Sequence, residues 1–136
     1  KGESEEIKIQ KAFLLWAEEI REKAAKGQLP SALECQLQSL KIGDAVFLAF
    51  PFELFSSVSL SLRAKSQIEN LFVAGYADGY GGYLLDEKSY AEGGYEAQEA
   101  FKYCGLLPLP SQAEEIFIEN ALSLLRTTTR RNSTKQ

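Results

Sequence analysis

The hydrophobic pattern changes from a helical to a strand period within the first fifty residues. Apolar residues recur every three to four positions from Ser4 to Lys26, which predicts an amphipathic helix. The apolar stripe of this helix is Ile9, Phe13, Trp16, Ile20 and Ala24. A period of two follows from Leu33 to Ile42, and a phase slip near Ser39 predicts a β-bulge there. After a Gly43-Asp44 turn, the apolar run Ala45 to Phe50 predicts the second strand of a hairpin, buried on both faces.

A helix and a third strand are predicted after this hairpin. Pro51 ends the second strand, and Glu53 to Lys65 fits a helix that ends in basic residues. The apolar side of this helix is Leu54, Phe55, Val58 and Leu62. The run from Leu71 to Tyr76 predicts another buried strand. Because a helix connects the two strands, we expect them to be parallel neighbours in one sheet.

The stretch from Ala77 to Glu96 breaks this periodic pattern. Two glycine clusters interrupt it, and glycine disfavours the interior of both helices and strands. Four tyrosines within the stretch argue against disorder, because disordered segments are poor in aromatic residues. We therefore expect an ordered, functional loop, with one short helical turn capped by Asp86 between the two clusters.

The end of the chain predicts one ambiguous segment and one clear helix. Glu96 to Tyr103 fits a strand or a helix, and we favour a strand or extended segment. Ser111 and Glu114 match a capping box that begins the last helix. The buried stripe of that helix is Ala113, Ile116, Phe117, Ala121, Leu124 and Leu125. Beyond Thr127 the chain is polar, so we expect one domain over residues 1–127 and a frayed tail over 128–136.

This order of elements predicts an α/β fold, a two-layer sandwich in which helices cover a small mixed β-sheet. Glu53 directly follows one of the two parallel strands, and the tyrosine-rich loop follows the other. Both therefore leave the C-terminal edge of the sheet, which is where ligands bind in open α/β sheets. We expect a functional site at this edge.

Composition excludes several classes of function. The chain has 136 residues, enough for one core, and a net charge of −4. That charge gives no electrostatic basis for binding nucleic acid or an anionic membrane. No apolar run is long enough to span a bilayer. The sequence contains no methionine, so we expect a processed chain or a piece of a larger protein.

Histidine is also absent, which removes the commonest general base and metal ligand in proteins. The two cysteines, Cys35 and Cys104, do not have the spacing of metal ligands. Their apolar neighbours favour two buried free thiols, with a disulfide as the alternative. Any chemistry would therefore use carboxylates, phenols, amines or thiols, or groups from another source.

The candidate residues each have a structural interpretation beside the functional one. Glu53 could belong to a site or could complement the dipole of the predicted helix. The loop tyrosines fit packing aromatics and functional phenols equally well. The loop acids, typical of solvated charges or turn caps, are Asp78, Asp86, Glu92 and Glu96. The residues alone predict an acid and several tyrosines at a strand edge and do not indicate a reaction.

Three segments taken together resemble the neutral/alkaline non-lysosomal ceramidase family. They read L-E-C-Q-L-Q-S-L-K-I-G-D-A-V-F-L-A-F-P-F-E-L-F, L-F-V-A-G-Y-A-D-G-Y-G-G-Y-L and S-Y-A-E-G-G-Y-E, in this order. The resemblance extends from about Leu33 to Leu125 and corresponds to the closing part of that family's catalytic domain. One such motif is weak, whereas the ordered combination is specific.

The resemblance implies a zinc-dependent amidohydrolase that cleaves the N-acyl bond of ceramide to a fatty acid and sphingosine. In the family, two upstream histidines, a glutamate and a tyrosine hold the zinc. The last two correspond to Glu53 and Tyr83. Tyr95 corresponds to a tyrosine near the reacting carbonyl, where a phenol can donate to the developing oxyanion. The resemblance also implies a secreted or periplasmic location.

The chain departs from the family pattern in three respects. Phe52 replaces the glycine usual before the glutamate, Leu85 stands where proline or threonine is common, and both histidine ligands are missing. Two oxygen ligands make a poor zinc site. We therefore expect this chain, when alone, to be inactive and to bind zinc weakly or not at all.

The resemblance also implies the partners of the chain. An upstream part of the same polypeptide would carry the histidines, and the substrate would be a lipid amide.

Two alternatives stay open. The chain could be a non-catalytic binding or scaffolding domain, or a hydrolase of the same architecture that acts on another amide or ester.

Overall fold

The computed structural model describes residues 4–130. Within this range the chain forms an α/β fold, as the sequence predicts, with a three-stranded mixed sheet, a separate two-stranded sheet and helices packed with them. The elements are α1 Glu5–Ala25, β1 Gln38–Ile42, β2 Ala45–Ala49, β3 Glu53–Leu54, α2 Ser56–Ser66, β4 Leu71–Ala74, β5 Tyr83–Leu84, α3 Glu87–Glu92, α4 Tyr95–Gln98, α5 Ala100–Tyr103 and α6 Ala113–Arg130.

The three-stranded sheet has the order β1-β2-β4. The first pair is an antiparallel hairpin, and Gly43 makes its tight turn with a φ of +58°, a conformation that glycine adopts without strain. Strands β2 and β4 are parallel, with Val46 beside Leu71 and Ala49 beside Ala74. The predicted hairpin and the predicted parallel crossover through a helix are both confirmed.

The core lies on one face of this sheet, beneath α6 and α2. Helix α6 packs across β1 and β2 and also against α2. Phe50, the residue after β2, meets Phe117 of α6 edge to face, with ring centroids 5.0 Å apart. The buried cluster is Val46, Leu48, Phe50, Phe52, Val58, Leu62, Leu71, Leu84, Phe117, Ile118, Ala121 and Leu125. Each large side chain of this kind stabilises the fold by about 1.5–3 kcal/mol.

The opposite face of the sheet is exposed, so the prediction of a strand buried on both faces is wrong. Val46 and Leu48 of β2 are buried, whereas Phe47 between them is 36% exposed. In β4, Leu71 is buried and Phe72 is exposed. Side chains alternate between the two faces of a strand, and helices cover only one face here.

The first strand is shorter than predicted and has no bulge. Strand β1 begins at Gln38 and pairs with β2 without interruption through Ser39 to Ile42. Residues 33–37 lie outside any strand, and Leu37 packs against the core from there. Of the alternating apolar residues before Gln38, Leu37 contacts the core, whereas Leu33 and Cys35 are exposed.

The predicted helix at Glu53 begins three residues later, at Ser56. Glu53 and Leu54 instead form β3, which pairs in parallel with Tyr83 and Leu84 of β5. This pairing between distant segments holds Glu53 and Leu54 in a strand, although their sequence fits the start of a helix.

The segment from Glu96 to Tyr103 is helical, so the preference for a strand is wrong. It forms the two short helices α4 and α5. Ala100 is buried within it, and Phe101 meets Trp16 of α1 edge to face at 5.6 Å. Contacts with α1 on one side therefore favour the helical form. The predicted helical turn before it is confirmed as α3, where Asp86 caps the helix by accepting from the Ser89 amide at 2.8 Å.

The last helix begins at Ala113 and continues through the residues expected to fray, as far as Arg130. Glu114 accepts a hydrogen bond from the Glu87 amide at 3.1 Å, which ties α6 to α3. The hydroxyls of Thr128 and Thr129 donate to carbonyls four residues earlier in the helix. The apolar stripe that the sequence predicts for this helix is only partly buried. One of its members, Ile116, is 56% exposed. Residues 131–136 of the predicted tail lie outside the described residues.

Helix α1 lies at the periphery and packs on α5. Its predicted stripe faces α5, where Trp16 donates to the Leu106 carbonyl at 2.8 Å and Phe13 packs on Tyr103 at 5.3 Å. No residue of α1 is fully buried. None of the helices within residues 4–130 combines the length and apolar character that crossing a membrane requires.

The two cysteines are free, as favoured from the sequence, but both are exposed rather than buried. Leu37 turns toward the core, while Cys35 stays on the surface. Apolar neighbours in sequence therefore do not bury these thiols.

Candidate functional site

The two predicted metal ligands meet on the parallel pair β3 and β5. Glu53 lies directly opposite Tyr83 in this pair. Its amide donates to the Gly82 carbonyl at 3.0 Å, and two residues further along each segment, the Phe55 amide donates to the Leu84 carbonyl at 3.1 Å. Since side chains alternate along a strand, Glu53 and Tyr83 project from one face while Leu84 enters the core on the other.

The Glu53 carboxylate accepts hydrogen bonds from two phenols. The Tyr76 hydroxyl donates to its Oε2 atom, and the Tyr83 hydroxyl also donates to the carboxylate. The bond to Glu53 raises the pKa of Tyr76 to about 12 and also raises the pKa of Tyr83. A phenolate beside the carboxylate would lose the bond and face a like charge. Both phenols are therefore protonated donors at neutral pH.

Further tyrosines extend the site on both sides. The Tyr80 ring stacks on Tyr76, with centroids 5.6 Å apart and planes within 6°. On the other side, Tyr95 meets the Tyr83 ring at 6.5 Å and 77°. Tyr95 is 49% exposed, so its phenol is accessible to a ligand. The structure thus places Tyr83 between the other two predicted site residues, opposite Glu53 in the strand pair and in ring contact with Tyr95.

Tyr76 also belongs to this site, although no sequence motif indicated a role for it. It has a φ of +56°, in the left-handed region that non-glycine residues rarely adopt. Its amide donates to the Phe52 carbonyl at 3.2 Å, and the next amide, that of Ala77, donates to Phe50 at 2.9 Å. These bonds turn the chain so that the phenol reaches Glu53. The available signal was its position directly after a parallel strand, at the edge where ligands bind.

Phe52, which stands where the family has glycine, does not obstruct Glu53. Its side chain is 5% exposed and belongs to the core. The close approach instead falls on the facing loop. A Cβ on Gly75 would lie 2.6 Å from the Phe52 carbonyl oxygen, and one on Gly81 would lie 2.5 Å from the Phe52 ring. The positions that require glycine are therefore Gly75 and Gly81, which face Phe52, and not position 52 itself.

Three acids of the loop have structural partners. Asp86 caps α3 and also accepts from the Ser57 hydroxyl, and these bonds lower its pKa. Asp78 accepts from Gln38 at 3.4 Å, and Glu92 pairs with Lys88 at 3.2 Å. The structural interpretation of these three acids is supported, and Glu53 is the carboxylate that the tyrosines surround.

The residues of this chain fit one side of a zinc site and do not complete it. Glu53 offers a carboxylate, and Tyr83 and Tyr76 offer phenol oxygens. The chain has no histidine, and residues 4–130 contain no group of three or more His, Cys, Asp or Glu side chains that could hold a metal ion. Protein zinc sites are almost always four-coordinate, and most use nitrogen or sulfur ligands. A zinc ion held here would need at least two further ligands from elsewhere.

A cavity of 840 Å³ lies apart from this site. It opens between residues 31–37 and α6, and Phe52 and Leu84 form part of its wall. Leu84 faces it from the side of β5 opposite to Tyr83. Apart from Glu34 and Asn120, most of its lining is apolar, including Leu37, Leu109, Ile116 and Leu124. The chemical groups gathered around Glu53 do not line it.

No protein-family model, no curated protein and no solved structure matches this chain. The resemblance to the ceramidase family therefore stays a hypothesis carried by the three ordered motifs. The geometry around Glu53 bears on that hypothesis independently, because the motifs do not specify which strands pair.

Proposed function

We propose that this chain is the C-terminal portion of a ceramidase-like, zinc-dependent amidohydrolase that hydrolyses the N-acyl bond of ceramide or a related lipid amide. One observation carries the proposal. Glu53 and Tyr83, which correspond to the family's glutamate and tyrosine ligands, come from separate segments and lie directly opposite each other in a strand pair. Two oxygen donors are thereby fixed side by side on one face.

The residues of this chain have distinct roles in the proposed site. Glu53 and Tyr83 supply two of the metal ligands, and two histidines from an upstream part of the polypeptide complete the set. Zinc, when bound, supplies a Lewis acid and lowers the pKa of a bound water. Tyr95 lies beside Tyr83 with its phenol exposed, so it can donate to the amide oxygen as negative charge develops there. Tyr76 orients the Glu53 carboxylate through its hydrogen bond.

A non-catalytic binding or scaffolding domain is the second candidate, and the incomplete donor set favours it. The two candidates differ in what lies upstream of Lys1. Two histidines with metal-ligand spacing and a signal peptide there support the hydrolase, and their absence would favour the binding domain.

Lipid hydrolysis tests the proposed reaction directly. The complete polypeptide, incubated with a panel of N-acyl lipids and ester analogues, should release fatty acid from ceramide. Tyr95→Phe should lower kcat roughly 100-fold, as loss of one oxyanion donor does in other hydrolases. Tyr103→Phe is the matched control, because Tyr103 is similarly exposed and its ring packs on Tyr95 and on Phe13 of α1. Release from esters alone would favour a different hydrolase of this architecture.

A further inference from the structure

The cavity of 840 Å³ between residues 31–37 and α6 takes no part in the site around Glu53. Its wall includes three side chains of the core, Phe52, Leu84 and Phe117, which are each at most 5% exposed. Protein interiors contain few voids larger than a water molecule, so a space of this size against the core is unusual. Binding sites for small molecules measure about 300–1,000 Å³ and are lined mostly by apolar side chains. This cavity has the size and the lining of such a site.

The polar side chains of the lining offer free hydrogen-bond acceptors. Glu34 is exposed, and its carboxylate makes no hydrogen bond or ion pair with another residue of the range 4–130. Asn120 donates from Nδ2 to the Ile116 carbonyl at 2.7 Å, which leaves its Oδ1 atom as an acceptor. Ser31 and Cys35 complete the polar lining, and each can donate or accept. The lining therefore favours a ligand that carries hydrogen-bond donors.

The charge of the lining discriminates between apolar ligands. Within residues 4–130, Glu34 is the one residue of the lining that belongs to the Asp, Glu, Lys and Arg types. A ligand with a carboxylate would bring a like charge to Glu34, whereas a ligand with an ammonium group would pair with it. Charge complementarity of this kind contributes to specificity more than to affinity. Because Glu34 is exposed, salt should weaken the discrimination.

We propose that this cavity binds an apolar amine, a compound with an aliphatic body and one protonated amino group. The body packs on Leu84 and Phe117, and the ammonium group lies at the rim, where Glu34 and Asn120 offer acceptors. An ammonium group has three donors and no acceptor, which matches this lining. The binding does not depend on the proposed function, because side chains alternate along β5 and the cavity lies on the side of Leu84.

A fatty acid anion and an aliphatic alcohol are poorer ligands for this lining. The anion has the same apolar body but adds a second negative charge beside Glu34. The alcohol has no charge and a single donor. Octylamine, octanoate and octanol have eight carbons each and differ in the polar group that would meet Glu34. These three compounds therefore separate the contribution of charge from that of apolar burial.

Calorimetric titration of the 136-residue chain with these three compounds measures the selectivity. At low ionic strength we expect octylamine to bind about tenfold more tightly than octanoate, with octanol between them. Glu34→Gln should weaken octylamine about threefold to fivefold, which is the effect expected of an exposed ion pair. Glu69→Gln is the matched control, because Glu69 is also exposed but does not line the cavity. It should leave the affinity for octylamine unchanged.

The two free cysteines show where octylamine binds. Both are exposed, but Cys35 lines the cavity and Cys104 does not. Since a ligand in such a site covers most of the lining, saturating octylamine should slow the modification of Cys35 by iodoacetamide roughly fivefold. The modification of Cys104 should be unchanged. Peptide mass spectrometry distinguishes the two thiols.

Each other outcome would overturn the proposal. Octanoate that binds as tightly as octylamine would show that the charge of Glu34 does not select the ligand. Equal weakening of octylamine in Glu34→Gln and Glu69→Gln would show that only the net charge of the chain matters. Slowed modification of both cysteines would indicate unspecific adsorption to the chain. Absence of binding by all three compounds would show that the cavity is not a site for apolar ligands.

Discussion

At the scale of single residues, the Glu53 carboxylate raises the pKa of two tyrosines, Tyr76 and Tyr83. It lies on a strand pair that no local pattern reveals, and it accepts hydrogen bonds from Tyr76 and Tyr83. That Glu53 follows the end of a parallel strand could be predicted from the sequence, whereas its pairing with Tyr83 in β3 and β5 could not. The contribution of Tyr76 could not, because it depends on a left-handed backbone conformation at a non-glycine residue.

The Glu53 hydrogen bonds predict a pH dependence of tyrosine ionisation. Because these bonds raise the pKa of Tyr76 to about 12 and that of Tyr83 as well, both should ionise later than an ordinary phenol. Glu53→Gln removes the charge and should shift both toward 10, measured by absorbance at 295 nm during a rapid pH jump. Glu92→Gln is the control, because Glu92 pairs with Lys88.

The direction in which the stability of the fold changes with pH follows from the same raised pKa values. A folded-state pKa above the unfolded value means that the hydrogen bonds contribute fully below about pH 10 and are lost as the pH rises through about 12. The stability difference between wild type and Glu53→Gln should therefore shrink in that range. An identical absorbance titration in both proteins would show that the phenols do not donate to Glu53.

At the scale of elements, the long periodic segments could be predicted and the short paired ones could not. Strand β2 and helix α6 have apolar patterns long enough to decide their type. The two-residue strands β3 and β5 depend on pairing between distant segments. The helices α4 and α5 have four residues each, and α5 packs against both α1 and α4. Local pattern alone could not assign them.

The Asp86 cap should stabilise α3 and thus the loop between β5 and α4. Asp86→Ala is expected to lower the free energy of unfolding by about 1 kcal/mol at pH 7. Hydrogen bonds from Ser57 and from the Ser89 amide lower the Asp86 pKa, so the stabilisation is present above the ordinary value of 3.8. It should disappear as the pH falls through the lower folded-state value. Urea unfolding at pH 7 and pH 3 measures this, and an equal loss at both would contradict it.

Gly75 should be intolerant of a side chain because the chain turns closely against Phe52. A Cβ there would lie 2.6 Å from the Phe52 carbonyl oxygen, which is backbone and cannot move aside cheaply. Gly75→Ala should therefore destabilise the chain by about 1–3 kcal/mol and displace Tyr76 from Glu53. Gly43→Ala is the comparison, because open space surrounds Gly43 and its cost is confined to the positive φ. A smaller loss in Gly75→Ala than in Gly43→Ala, by thermal denaturation, would count against this close approach.

At the scale of the whole molecule, the donor set around Glu53 is incomplete within residues 4–130. Glu53 and the tyrosines offer oxygen donors without the nitrogen donors that zinc prefers. The sheet next to them offers an uncharged apolar face with no covering layer in residues 4–130. Under the proposed function, histidines from an upstream part of the polypeptide would supply the missing ligands of that site.

Zinc content of the complete polypeptide tests the central claim most directly. After dialysis against metal-free buffer, the wild type should retain one zinc per polypeptide by mass spectrometry, and Glu53→Ala and Tyr83→Phe should retain much less. Tyr90→Phe is the control, because Tyr90 lies in α3 and takes no part in the hydrogen bonds that Tyr76 and Tyr83 make to Glu53. The same metal stoichiometry in wild type, Glu53→Ala and Tyr83→Phe would contradict the claim that these two residues are zinc ligands.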